Sequence, residues 1–203
     1  MNPRHLSRIA GISYVIIFFA AIFANFFVLE KLLETPVETV RQDQVMVRLG
    51  ILAFLLTVVF DVIVAWALYE LYKKHPLSGL STSFRMMHAA IMGVAIFALP
   101  MALTSTTESE ILAIADTFNI IWLIGLFFFG IHLILLGRIV KTPRIIAFFL
   151  MVAGVMYMMD TTAHFLLADY NSYKTLFLAL VAIPSIVGEM SFAVWLLLKG
   201  GRN

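Results

Sequence analysis

Cysteine is absent from this chain. That excludes disulfides, thiolate nucleophiles and thiolate metal ligands, and leaves the redox compartment open. Charge is scarce as well: Asp, Glu, Lys and Arg make up 13% of the 203 residues, about half of the roughly 25% typical of soluble domains. There is no basic stripe and no nucleic-acid motif, so nucleic-acid binding is not a reading. No serine occupies a recognisable nucleophile turn, which leaves a Ser–His–Asp hydrolase without support. Low-complexity linkers are missing too, and a single domain over residues 1–203 is expected.

What the chain has in abundance is apolar residues: 62% of the total, with a mean hydropathy of +1.00. They fall into six runs, about Arg8–Leu29, Val45–Tyr72, Ser83–Leu103, Ala113–Gly137, Ile145–Ala168 and Thr175–Leu198. Each is close to the ~20 residues that cross a bilayer core. The runs are continuous rather than alternating, so a β-barrel does not compete. The expected fold class is all-α: a polytopic membrane protein, a bundle of six transmembrane helices. The first run is read as a retained helix, because its apolar core is too long for a signal peptide. A cut after Ala24 would also leave the bulky Ile22 close before the bond.

Lys and Arg set the orientation. One side collects Arg4, Arg8, Lys73, Lys74, Arg138, Lys141, Arg144, Lys199 and Arg202, with Arg85 just inside. The other has only Lys31, Arg41, Arg48 and Lys174, beside carboxylates that run from Glu30 to Asp169. The positive-inside rule then puts both termini in the cytoplasm, and the expected location is the cell (inner or plasma) membrane. The acidic 30–44 loop, with Pro36, is expected to be a solvated cap on the outer side.

Ionisable groups at bilayer depth cost at least a few kcal/mol unless paired, hydrated or neutralised. At ~1.5 Å of rise per residue, Arg85, His88 and His132 fall in the cytoplasmic third. Asp61 and Glu189 lie ~15–18 Å from the cytoplasmic ends of their helices, near the midplane. Asp160 is ~20 Å or more from that face, and His164 lies one turn further out. Arg85 and Arg48 read as snorkelling side chains, His164 as an interfacial, hydrated imidazole, and His88 as a partner for a neighbouring carbonyl. His132, between Gly130 and Gly137, sits at a close helix contact. Asp61 and Glu189 have no cation at helical spacing, so each needs a partner on another helix, a proton or water. In "AIPSIVGEM", Pro184 removes a donor and clashes with the carbonyl of Leu180, which predicts a kink just before Glu189. Pro100 with Gly93 predicts a bend in the third helix.

Asp160 and His164, four apart, share one helix face with Tyr157 and could supply two metal ligands, with His132 or His88 a third. The helix rise sets His132 and Asp160 roughly 12 Å or more apart, against a single site. Haem between His88 and His132, at similar depth, is a further geometric option. Neither names a cofactor, which stays unknown.

Three stretches, "RIAGISYVIIFFAAIFA", "FFGIHLILLGRIVKTPRIIAFFLMVAGVMYMMD" and "GEMSFAVWLLLKG", carry a likeness over nearly the whole chain. It resembles the bacterial six-helix membrane proteins of domain-of-unknown-function family 4386. The resemblance implies an F-F-G-x-H-x-x-x-x-G core at His132, a Y-x-x-D element at Tyr157 and Asp160, and Glu189 ahead of Trp195. His88 and His164 fall outside that pattern. The family implies a fold and no activity.

The leading functional expectation is a polar interior that binds or translocates protons or a small polar or cationic solute. Its candidate residues are Asp61, His132, Asp160, Glu189, Tyr157, His88 and Arg85. The alternatives are a membrane-embedded enzyme acting on a lipid or other apolar substrate, with His132, Asp160 and His164 as possible metal ligands, and a structural or accessory subunit. The lipid bilayer is the one firm partner; a small-molecule or ion ligand is possible in principle, and the oligomeric state is not written in the sequence.

Overall fold

The computed structural model describes residues 1–140 and 142–201. Six helical spans are long and apolar enough to cross a membrane: Pro3–Glu34, Gln44–Tyr72, Ser78–Ala102, Glu108–Ile139, Arg144–Leu166 and Tyr170–Leu198. No strand occurs among the described residues. Each span packs on its neighbour in sequence, and the sixth returns to the first, so the bundle is a closed ring. Outward-facing Phe19, Leu52, Val94 and Ile183 are exposed. Large apolar groups left open suit a chain whose surroundings are lipid tails.

Five of the six spans outrun the predicted apolar runs because polar residues at the ends continue the helices, while the fifth stops at Leu166, two residues short of its predicted end. Asn2 accepts a hydrogen bond from Arg4 N at 2.9 Å, with Pro3 at the first helical position. Thr107 caps the fourth span, with Glu108 and Glu110 in its first turn. The termini meet at one end of the bundle. There Arg4 donates to the carbonyls of Leu196, Leu197 and Gly200, which the last helix leaves unpaired, and Ser7 Oγ donates to Leu196 O. We call this the terminal end and the opposite one the far end.

The 30–44 segment is not the solvated loop expected of it. Glu30–Glu34 continues the first span, and Pro36–Gln42 forms a helix of its own. Leu32 and Val40 are buried there with Val28, Val47, Ala102 and Ile111. Its carboxylates face out, as their acidity required, while the apolar residues between them close the far end of the bundle.

Three spans depart from regular α-helix. The first runs through a π-helical stretch at Phe23–Leu29. The third breaks ahead of Pro100, where Phe97 N and Ala98 N reach back only three residues, to Val94 and Ala95. In the sixth, Pro184 lies inside the helix Lys174–Ser185, and Ile186–Met190 follows as a π turn. The interruption expected before Glu189 thus takes the form of a π turn, a feature frequent at functional sites. Ser185 Oγ donates to Val181 O at 2.6 Å, adding a side-chain donor to the turn that proline disturbs.

Besides the cluster that closes the far end, two apolar cores divide the interior. The terminal half draws Ala10, Val64, Leu133, Leu150 and Phe192 from spans one, two, four, five and six. The far half draws Ala24, Phe54, Ala95 and Phe118 from spans one to four. Between these two cores lies the polar centre.

Candidate functional site

Arg85 is the largest fully buried side chain, 1% exposed. It comes from the third span, whose mean hydropathy of 1.5 is the lowest of the six and whose buried share is the highest. Its Nη2 donates to Asp61 Oδ1 on the second span at 2.5 Å. Its Nη1 donates to the Tyr14 hydroxyl on the first span at 2.8 Å and faces His132 Nε2 on the fourth at 3.3 Å. The guanidinium lies 4.8 Å from the centre of the Tyr14 ring and 5.2 Å from that of Phe129. An ion taken this far from water needs an opposite charge and hydrogen bonds together, and the aromatic faces add a favourable quadrupole.

The histidines are fixed by what their nitrogens face. His132 Nδ1 is 2.9 Å from both the carbonyl and the hydroxyl of Ser81. A carbonyl can only accept, so Nδ1 carries the hydrogen, and Nε2 turns its lone pair to Arg85. His132 therefore acts as a neutral acceptor that holds the guanidinium. His88 Nδ1 donates likewise to Gly125 O at 2.9 Å, which leaves Nε2 3.4 Å from Asp61 Oδ2. A proton on that nitrogen would lie between imidazole and carboxylate.

The last two spans complete the ring around this centre. Tyr157 meets Phe129 edge to face at 5.6 Å and pairs its hydroxyl with that of Ser185. Glu189, on the π turn, is within electrostatic reach of Arg85, Asp61 and Tyr157. No hydrogen bond or ion pair engages its carboxylate among the described residues. Arg85 Nε is buried and has no hydrogen-bond partner among the described residues. All six spans thus send a polar side chain toward one place: Tyr14, Asp61, Arg85 with His88, His132, Tyr157 and Glu189. A small cavity of about 10 Å³ reaches this centre from the terminal end, between Tyr72, Ser78, Ser81, Thr82 and His132. That is room for about one water, beside the polar Tyr72, Ser78 and Thr82 and the apolar Ala65, Leu68, Leu136 and Ile139.

Asp160 and His164 belong elsewhere. Asp160 Oδ1 accepts from the Tyr170 hydroxyl at 2.6 Å, and the His164 ring stands edge-on to Tyr170 at 4.7 Å. No hydrogen bond or ion pair links them to the centre. The geometry does not assemble the metal set His132, Asp160 and His164, and no group of three or more His, Asp or Glu suited to a metal occurs among the described residues. Haem between His88 and His132 fits poorly, because the ring nitrogens of both already face protein partners.

One expectation needs correction here. Arg85 does not snorkel: it turns inward and neutralises Asp61. Nor do the different depths of Arg85, His88 and His132 keep them from Asp61, since the side chains bridge the layers and all four are joined through Arg85 or Asp61. Sequence reasoning missed Tyr14 and Ser81. The signal for Ser81 was the low hydropathy of its own span; for Tyr14 it was a hydroxyl inside an otherwise apolar run.

The family model described as "Domain of unknown function (DUF4386)" matches residues 9–200. A protein of Archaeoglobus fulgidus, described as uncharacterised, is 29% identical over 159 residues, covering 75% of this chain and 85% of that protein. No solved structure matches the chain.

Proposed function

We propose that this chain, which belongs to the domain-of-unknown-function family DUF4386, is a small permeation or binding protein that passes protons, or a small polar or cationic solute, through its polar centre. It would act in the cell's inner or plasma membrane with both termini in the cytoplasm, on the positive-inside count. The observation that carries the reading is an imbalance at one cation. Arg85 is bound by Asp61, while its Nε and the nearby Glu189 carboxylate are both left without a hydrogen bond.

The chemistry follows from that imbalance. Ionised, Glu189 is drawn to the free edge of the guanidinium and competes with Asp61 for it. Protonated, it releases Arg85 to Asp61, the arrangement described above. His132 and Tyr14 hold the guanidinium in place meanwhile, and His88 Nε2 stands 3.4 Å from Asp61 Oδ2. The small cavity below His132 offers a water position on the side of the termini. A proton arriving at Glu189 is thereby coupled to which carboxylate holds Arg85. A solute with a positive charge would use the same two carboxylates.

Proton flux in proteoliposomes, followed with an enclosed pH dye, tests this. Glu189→Gln should abolish flux while leaving the fold intact, because the carboxylate has no partner to lose. Asp61→Asn should reduce it strongly. Native rates in both variants would remove the mechanism.

A second reading has an observation of its own: Tyr14, Asp61 and His132, from three different spans, all hold the Arg85 guanidinium. A structural or accessory subunit would need no more than that. Isosteric neutral variants that lose stability in step with any loss of flux would favour it.

A further inference from the structure

A second feature lies away from the polar centre, between the fifth and sixth spans. Gly188 brings the two helices together: a Cβ there would sit 2.9 Å from both Leu150 N and Phe149 C, so only a residue without one fits. Beside this contact is an open groove of about 430 Å³, lined by Ile146 of the fifth span and by Met190, Val194, Trp195, Leu198 and Lys199 along the end of the sixth. That volume lies in the roughly 300–1,000 Å³ range of small-ligand sites. Arg144 opens the fifth span two residues before Ile146, outside the groove lining but at the same end of the bundle, and both it and Lys199 are exposed. Neither makes a salt bridge among the described residues.

We propose that this groove is a specific site for an anionic phospholipid, with an acyl chain between the two spans and the phosphate held by Lys199 and Arg144. The chemistry of the walls divides as a lipid's does: apolar along the spans, cationic at the end, with the Trp195 ring at the side. Basic groups between helices at one membrane face are a recurrent way to hold lipid headgroups, through attraction that bulk zwitterionic lipid does not supply. The groove also bears on the polar centre, since Met190 and Ser191, directly after Glu189, form part of its wall. The inference does not depend on the permeation reading and survives its failure.

Trp195 reports on occupancy directly. The chain is placed in nanodiscs of phosphatidylcholine with increasing phosphatidylglycerol, only one lipid carrying brominated acyl chains at a time. The Trp195 signal is the difference between the native chain and Trp195→Phe. Brominated phosphatidylglycerol should quench that signal at a several-fold lower mole fraction than brominated phosphatidylcholine. Lys199→Gln or Arg144→Gln should each weaken the preference about fivefold, and Lys199→Arg should keep it. Both side chains are exposed, so the variants retain the fold. Equal quenching by the two lipids would mean that bulk bilayer fills the groove, and overturns the proposal. So does an anionic preference that survives both neutral substitutions, because the headgroup is then held elsewhere.

Discussion

Asp61 and Asp160 are the same residue type in two membrane-spanning helices, yet they have unlike partners. Asp61, whose side chain is 7% exposed, has a guanidinium on one oxygen and an imidazole near the other. Asp160, at the far end of the fifth span and only partly buried, makes do with the hydroxyl of Tyr170. Where no water can reach, a carboxylate needs opposite charge, and where water can, a neutral donor suffices. The location of a charge decides its partner, and the partner decides what can be lost.

Breaking the central pair should therefore have the largest effect. Asp61→Asn takes the one ion pair from Arg85 and leaves only Glu189, which is not bonded to it, as a nearby carboxylate, and the expected loss is about 3–5 kcal/mol. Unfolding in detergent by a denaturing surfactant measures it. The sharper experiment is the double variant Asp61→Asn with Arg85→Met. Removing both charges should restore more than half of the loss, since most of it comes from the orphaned ion rather than from the missing contact. A double variant as unstable as the sum of the two singles would show that the pair's neighbours, not its charges, set the stability.

Next in size comes the packing that keeps the centre closed. Gly130 and Gly154 face each other across the fourth and fifth spans, and a Cβ on Gly154 would collide with the carbonyl of Gly130. Gly154→Ala should cost about 1–3 kcal/mol, because backbone and not a flexible side chain must move. The contact lies on the helix turn next to Tyr157, so the loss should be accompanied by changed accessibility at the centre. Hydrogen exchange around Tyr157 checks this. Unchanged protection would mean that the two spans shift as a unit and the centre stays sealed.

How much of this could be read beforehand differs between the two regions. The six spans were legible because lipid demands long apolar runs; polar residues carried most ends outward, and the third and fifth spans stopped one and two residues early, at Ala102 and Leu166. Asp61, His132 and Glu189 stood out because charged or imidazole groups in such runs are rare. Arg85 was misjudged for a physical reason. It lies seven residues, ~10 Å, inside the start of its span, and Asp61 eleven, ~17 Å, from the end of its own. A long side chain bridges that difference as readily inward as outward, and depth alone does not say which. Only the neighbouring helices decide, through Tyr14, Asp61 and His132. At the far end, Asp160 found its partner on a residue ten positions later, just past a turn, whose course no helical spacing could give.

That far-end pair should yield the smallest effect and the cleanest contrast. Tyr170→Phe removes the donor to Asp160 and keeps the ring, which still stacks on Phe177 at 5.6 Å and meets His164 at 4.7 Å. Since water can replace the lost hydroxyl, the cost should be about 1 kcal/mol, well below that of Asp61→Asn under the same unfolding conditions. Proton flux should be close to native, because Asp160 has no hydrogen bond or ion pair to the centre. A loss of flux as deep as in Glu189→Gln would erase the distinction drawn here, because it would make the far-end carboxylate part of the same pathway as Asp61 and Glu189.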